Sequence, residues 1–116
     1  MNTENTRTVL EDIFDERVKQ EKKWGEQEHP VIAAHISPEL RLQMANSARS
    51  LCDKAAVDGD LTWEHIVTEE IFEAWAEKED SPELRNELVQ SAAVIVAAIE
   101  NMDRRYFLRV ATSGPL

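Results

Sequence analysis

The stretch "IVTEEIFEAWAEKEDSPELRNELVQ", residues 66 to 90, decides how the chain folds and what it does. Its first half is helical in pattern and crowds glutamates at 69, 70 and 73, and its second half opens a new helix with Glu87 beside the most apolar run of the chain. Such carboxylates are either an ordinary solvated helix face or the oxygen cage of a metal site. At about 100° per residue, Trp63, Val67, Ile71, Ala74 and Trp75 form the apolar arc of this helix. Glu70 and Glu77 lie at one edge of that arc, with Glu73 a little further round. Ile66 projects between Glu70 and Glu73, so this edge is expected to be covered and both carboxylates partly desolvated. Glu69 points nearly opposite the arc and reads as a surface residue. Phe72 also points outward, which for a large apolar group suggests a subunit contact.

Working outward, "KEDSP" is a short helix-to-helix turn, with Ser81 as N-cap and Pro82 at the first helical position. The helix it opens extends to roughly Val110, leaving 111–116 as a flexible tail. From Leu88 to Ile99 that helix is apolar nearly all round, which predicts burial on every side. Glu83, Glu87, Gln90 and Asn101 share one narrow stripe with Val94. Glu87 and Gln90 therefore need a polar partner or a site, because an unpaired buried carboxylate either neutralises or finds a cation. Upstream, Thr62 caps the helix of the acidic cluster. Ser37-Pro38 starts another helix, which carries Leu40, Met44, Ala48, Leu51 and Ala55 inward before "DGD" ends it near Asp58. The first helix runs from about Thr6 to Trp24, with Leu10, Ile13, Phe14, Arg17, Glu21 and Trp24 on one stripe, and stops at Gly25. The loop "GEQEHPVIAAHI" follows it.

Four helices in one domain of 116 residues make an all-α chain, a four-helix bundle. Only three glycines occur, good helix formers are abundant, and strand-type alternation is missing. With hydrophobic residues at 42% and charged residues at 31%, the chain is of the folded, globular kind. A lone bundle this small could not easily cover an all-apolar fourth helix, which predicts an oligomer, a homodimer or a dimer of dimers. The formal net charge of −10 opposes binding to duplex nucleic acid, and a nucleotide would need metal cations or local Lys and Arg to offset repulsion. The single Cys52 excludes an intramolecular disulfide, and the N-terminus shows no signal-peptide pattern, so the expected compartment is cytoplasmic. The longest apolar run, "SAAVIVAAI" at 91–99, is far short of a membrane span.

Oxygen-only ligands suit a hard ion, Mg²⁺ or Mn²⁺, and argue against structural zinc. Carboxylate-bridged di-iron bundles need two Glu-x-x-His motifs, and only Glu26 with His29 has that spacing, in a loop. His35 and His65 read as surface or capping residues.

"EEIFE" at 69–73 followed by "ELVQ" at 87–90 resembles the EExxE, spacer, ExxD signature of the MazG-like all-α NTP pyrophosphohydrolases, a group that shares its fold with dimeric dUTPases. The segments "ERVKQEKKWGEQEHP", "LCDKAA" and "LTWEHIVTEEIFEAWAE" extend the resemblance over about residues 9–105, to an uncharacterised MazG-like subgroup. The resemblance implies that Glu70, Glu73, Glu87 and Gln90 hold Mg²⁺, or Mn²⁺, against a nucleoside triphosphate. Water then attacks the α-phosphorus and releases a nucleoside monophosphate and pyrophosphate. Glu69 or Glu73 is the candidate general base. Two positions depart from the family pattern: Gln90 stands where Asp is usual, offering one neutral oxygen, and Phe72 stands where Gly is common. The inward stripe of the first helix turns polar at Arg17, Gln20 and Trp24, as a substrate pocket would. Trp24 would stack a base, Gln20 and Gln27 would bond its edge, and Arg17 or Lys54 would meet phosphates. The alternatives are a core Trp24 with an ion-paired Arg17 and, for the whole chain, a non-hydrolytic module binding a nucleotide or a protein.

Overall fold

The structure, a computed structural model, describes the backbone of residues 1–113 and the side chains of residues 1–107. Four α-helices and no strand occur among the described residues: α1 (Thr3–Trp24), α2 (Pro38–Asp58), α3 (Trp63–Trp75) and α4 (Pro82–Ser113). Each begins where a side chain can take the free N–H groups of a first turn. The Asn2 side chain accepts from Glu4 and Asn5, which moves the start of α1 ahead of Thr6. The Ser37 hydroxyl accepts from Leu40, and the Ser81 hydroxyl from Leu84. Thr62 and His65 cap α3 reciprocally, the Thr62 N–H donating to the His65 Nδ1 at 3.1 Å. Gly25 and Gly59 end α1 and α2 at positive φ, 69° and 77°, where a Cβ would be strained. The helix of α4 continues through 111–113, past the expected end at Val110, and 114–116 of the expected tail lie outside the described residues.

The chain divides into two compact units, Met1–Glu28 with α4 from Ile95 onward, and His29–Val94. In the unit His29–Val94, α2 packs on α3. The buried positions of α2 are Ala45, Ala48, Cys52 and Ala55, of which only Ala48 and Ala55 belong to the expected stripe. Leu40, Met44 and Leu51 are exposed instead, Leu51 by 62%. Small side chains let two helix backbones approach closely, and the fully buried Ala74 of α3 serves the same end. Larger residues are displaced to the flanks. Met44, Phe72 and Trp75 line one such flank, a cavity of about 250 Å³ completed by Val31, Ala33, Ile36 and Arg41. Phe72 is therefore half-buried within this unit rather than projecting outward.

The loop over that cavity is tied down by charge. The Glu79 carboxylate accepts the backbone N–H groups of Val31 and Ile32 at 2.8 and 2.7 Å, and Arg41 donates to the carbonyls of Ala33 and Trp75. In α4, Leu84 and Ser91 are buried but Val89, Ala92 and Ala93 are exposed, so the helix is not covered on every side within the chain. The other unit buries Val9 of α1 with Val96 and Glu100 of α4, and leaves Leu10, Ile13, Phe14 and Val18 exposed together with Met102, Tyr106 and Phe107. The expected inward stripe of α1 is thus exposed. Among the described residues no helix is long and apolar enough to cross a membrane.

Candidate metal centre

Three carboxylates meet inside the unit His29–Val94. Glu70 and Glu73 stand one turn apart on α3, the spacing that puts both on one face. Glu87 comes from the second turn of α4, which the Asp80–Ser81 turn brings back beside α3: Asp80 takes a positive φ of 58°, and the Ser81 hydroxyl both donates to the Lys78 carbonyl and caps α4. One oxygen from each of the three lies within 4.8 Å of the others, and all three residues are half-buried.

Glu70 Oε2 and Glu87 Oε2 are sealed from solvent and accept no hydrogen bond. Burial, and then the charge of Glu73, pushes both carboxyls above their ordinary range, with Glu87 adding to the effect on Glu70 and Glu77 to that on Glu87. Orphaned buried acceptors and mutual repulsion are costly, and a proton or a cation removes both. Oxygen ligands of a Mg²⁺ ion at about 2.1 Å stand roughly 3.0 to 4.2 Å apart around an octahedron. Three oxygens already within 4.8 Å need only a small contraction to reach that spacing. The donor set fits a hard divalent ion.

Three neighbours border the cluster, Glu69, Cys52 and Arg49, and none follows from the periodicity of α3. Glu69 is turned toward α2 rather than toward solvent, its side chain only 20% exposed and its Oε1 3.7 Å from Arg49 Nε. The Cys52 thiol is pushed up to about 11, first by its hydrogen bond to Glu69 and then by burial. Arg49 also binds Glu73, Nη2 to Oε1 at 3.0 Å, and this hydrogen bond, with the Glu73 charge, raises the guanidinium pKa. Arg49 was legible only as the residue after Ala48. Its role depends on α2 facing α3 through Ala45, Ala48 and Cys52, which places position 49 beside the acids of α3.

Within the unit His29–Val94, neither of the other expected site residues, Gln90 and Lys54, joins this cluster by a hydrogen bond or ion pair. Gln90 is exposed. Lys54 pairs with Asp58 one turn on, at 2.9 Å. In the unit of α1, Arg17 donates to Gln20 at 2.9 Å and lies 3.8 Å from Glu21, Lys23 stands 5.0 Å over the exposed ring of Trp24, and Gln27 is exposed. Trp24 is accordingly not a core residue within the chain. His65 is a capping residue, and His35 is exposed. Compared with family models, with curated proteins and with solved structures, the chain matches none.

Proposed function

We propose that the chain is a Mg²⁺-dependent nucleoside triphosphate pyrophosphohydrolase that works as a homo-oligomer, with Mn²⁺ as a possible substitute ion. The observation that carries this reading is the meeting of Glu70, Glu73 and Glu87, one oxygen of each within 4.8 Å of the others, where Glu70 and Glu87 each also keep a sealed, unpartnered oxygen. The EExxE spacing at 69–73 with Glu87, and its resemblance to the MazG-like enzymes, supply the substrate class. When bound, the ion offsets the charge of the triphosphate and activates water at neutral pH. Glu70, Glu73 and Glu87 hold and orient it. Glu69, 3.7 Å from Arg49, takes the proton of the attacking water as its oxygen bonds to the α-phosphorus. The bond from that phosphorus to the bridging oxygen breaks, and pyrophosphate leaves.

Pyrophosphate release from a panel of NTPs and dNTPs with Mg²⁺ or Mn²⁺ tests the reading. Turnover should fall at least about a hundredfold in E70Q and in E87Q, the loss expected when a group stabilising the transition state is removed. A second reading, a non-hydrolytic nucleotide-binding module, is favoured by Gln90, exposed and neutral where the resembled family has a carboxylate. Nucleotide binding without turnover selects that reading. Mg²⁺ binding that tightens in Q90D would place position 90 in the ion's shell.

A further inference from the structure

Arg49 has a position that the chemistry above does not use. From α2 it straddles two carboxylates of α3, Nη2 at 3.0 Å from Glu73 Oε1 and Nε at 3.7 Å from Glu69 Oε1. Its side chain is 53% exposed, whereas those of Glu69 and Glu73 are 20% and 22% exposed. The cation therefore sits on the solvent side of the pair, where it can turn away without stranding a buried positive charge. Glu70 and Glu87, the carboxylates with sealed free oxygens, have no ion pair with it or with any other described residue. Arg49 thus neutralises one wall of the cluster and leaves the other wall bare.

A divalent ion drawn to the bare wall competes with the guanidinium for Glu73 and repels it at short range. A guanidinium displaced toward solvent at the mouth of an acidic site meets whatever the ion brings with it. Its planar fork of N–H donors matches phosphate oxygens, and a chain of net charge −10 needs such a group to admit a polyanion. Lys54 and Arg17, the other candidate phosphate cations, each pair with an acid one turn away on their own helix, Asp58 and Glu21.

We propose that Arg49 exchanges partners during binding: it holds Glu73 while the site lacks an ion, yields that carboxylate to the divalent ion, and then grips the phosphates of the incoming substrate. This inference rests on the metal reading above, so the experiment separates the two. Mn²⁺ alone, and then a preformed complex of Mn²⁺ with inorganic triphosphate, are titrated calorimetrically into the full chain as wild type, R49Q and R49K, after circular dichroism shows equal helicity.

R49Q should bind free Mn²⁺ about threefold more tightly, the scale of losing one exposed ion pair that competes with the metal. It should bind the triphosphate complex about tenfold or more weakly, as expected for losing charged hydrogen bonds. R49K, which keeps the charge and loses the fork, should bind Mn²⁺ like wild type and recover part of the affinity for the complex. Wild type and R49Q alike in both titrations, or R49Q weaker for free Mn²⁺, overturns the exchange and leaves the metal centre standing. Wild type without Mn²⁺ binding at millimolar concentration overturns both.

Discussion

At the scale of single residues, Glu70 and Glu87 set opposite signs for stability with and without an ion. In the ion-free chain their carboxyls are held above the ordinary range by burial and by neighbouring acids. A raised folded pKa means that the folded state binds the proton more tightly than the unfolded chain does. The resulting stability is complete below the unfolded value of about 4.3 and is lost as pH rises through the folded values. The contribution of these two groups to stability should therefore fall in EDTA as pH rises above about 4.3, through their raised folded pKa values. Thermal unfolding over that range checks it, and the fall should shrink in the E70Q/E87Q double variant. At pH 7 without ion, E87Q should raise stability by about 1 kcal/mol, because a neutral amide replaces a repelled, poorly solvated carboxylate. With Mg²⁺ at a hundred times its dissociation constant, wild type should gain about 2.7 kcal/mol and E87Q little. A melting temperature that fails to cross over between the two conditions would remove the ion from this site.

At the scale of helices, the starts of α2, α3 and α4 and the ends of α1 and α2 were legible because caps act locally, whereas the start of α1 at Asn2 and the end of α4 were not. Ser37, Thr62 and Ser81 take N–H groups of the turn that follows them, and Gly25 and Gly59 supply positive φ, all within a few residues of sequence. The convergence of Glu70, Glu73 and Glu87 was legible for a related reason: a one-turn spacing on α3 and a short turn into α4 leave little freedom. The rotation of α2 was not legible. Leu40, Met44 and Leu51 dominate the hydrophobicity of that helix, yet the close approach to α3 selects the small side chains of Ala45, Ala48, Cys52 and Ala55. Arg49 and Glu69 follow that rotation, so their pairing was hidden with it. A pair of substitutions tests the assignment. Ala48→Leu should overpack the contact and destabilise by about 1–3 kcal/mol, whereas Leu51→Ala, at an exposed position, should stay within about 0.5 kcal/mol. Chemical denaturation of both variants measures this, and equal losses would return α2 to the orientation that hydrophobicity alone suggests.

At the scale of the whole molecule, apolar surface and net charge pull in opposite directions, and that opposition makes the proposed oligomer testable. The unit of α1 with α4 from Ile95 onward exposes Leu10, Ile13, Phe14, Val18, Met102, Tyr106 and Phe107, with Phe14 at 68% and Phe107 at 72%. So many large apolar groups on one small unit are what a subunit interface presents before it is covered. Each copy also carries a formal charge of −10, so association must overcome repulsion between like-charged chains. Salt screens that repulsion, with a Debye length falling from roughly 10 Å at 0.1 M to about 3 Å at 1 M, while apolar burial persists. Raising salt should therefore tighten self-association, the reverse of an interface built on ion pairs. Sedimentation at micromolar concentration in low and high salt checks the sign. The double substitution Phe14→Glu with Phe107→Glu should shift the chain to monomer at every salt concentration, since it places new charges where apolar area is to be covered. A wild-type chain that stays monomeric under all of these conditions would leave the exposed face of α1 without a second copy to cover it.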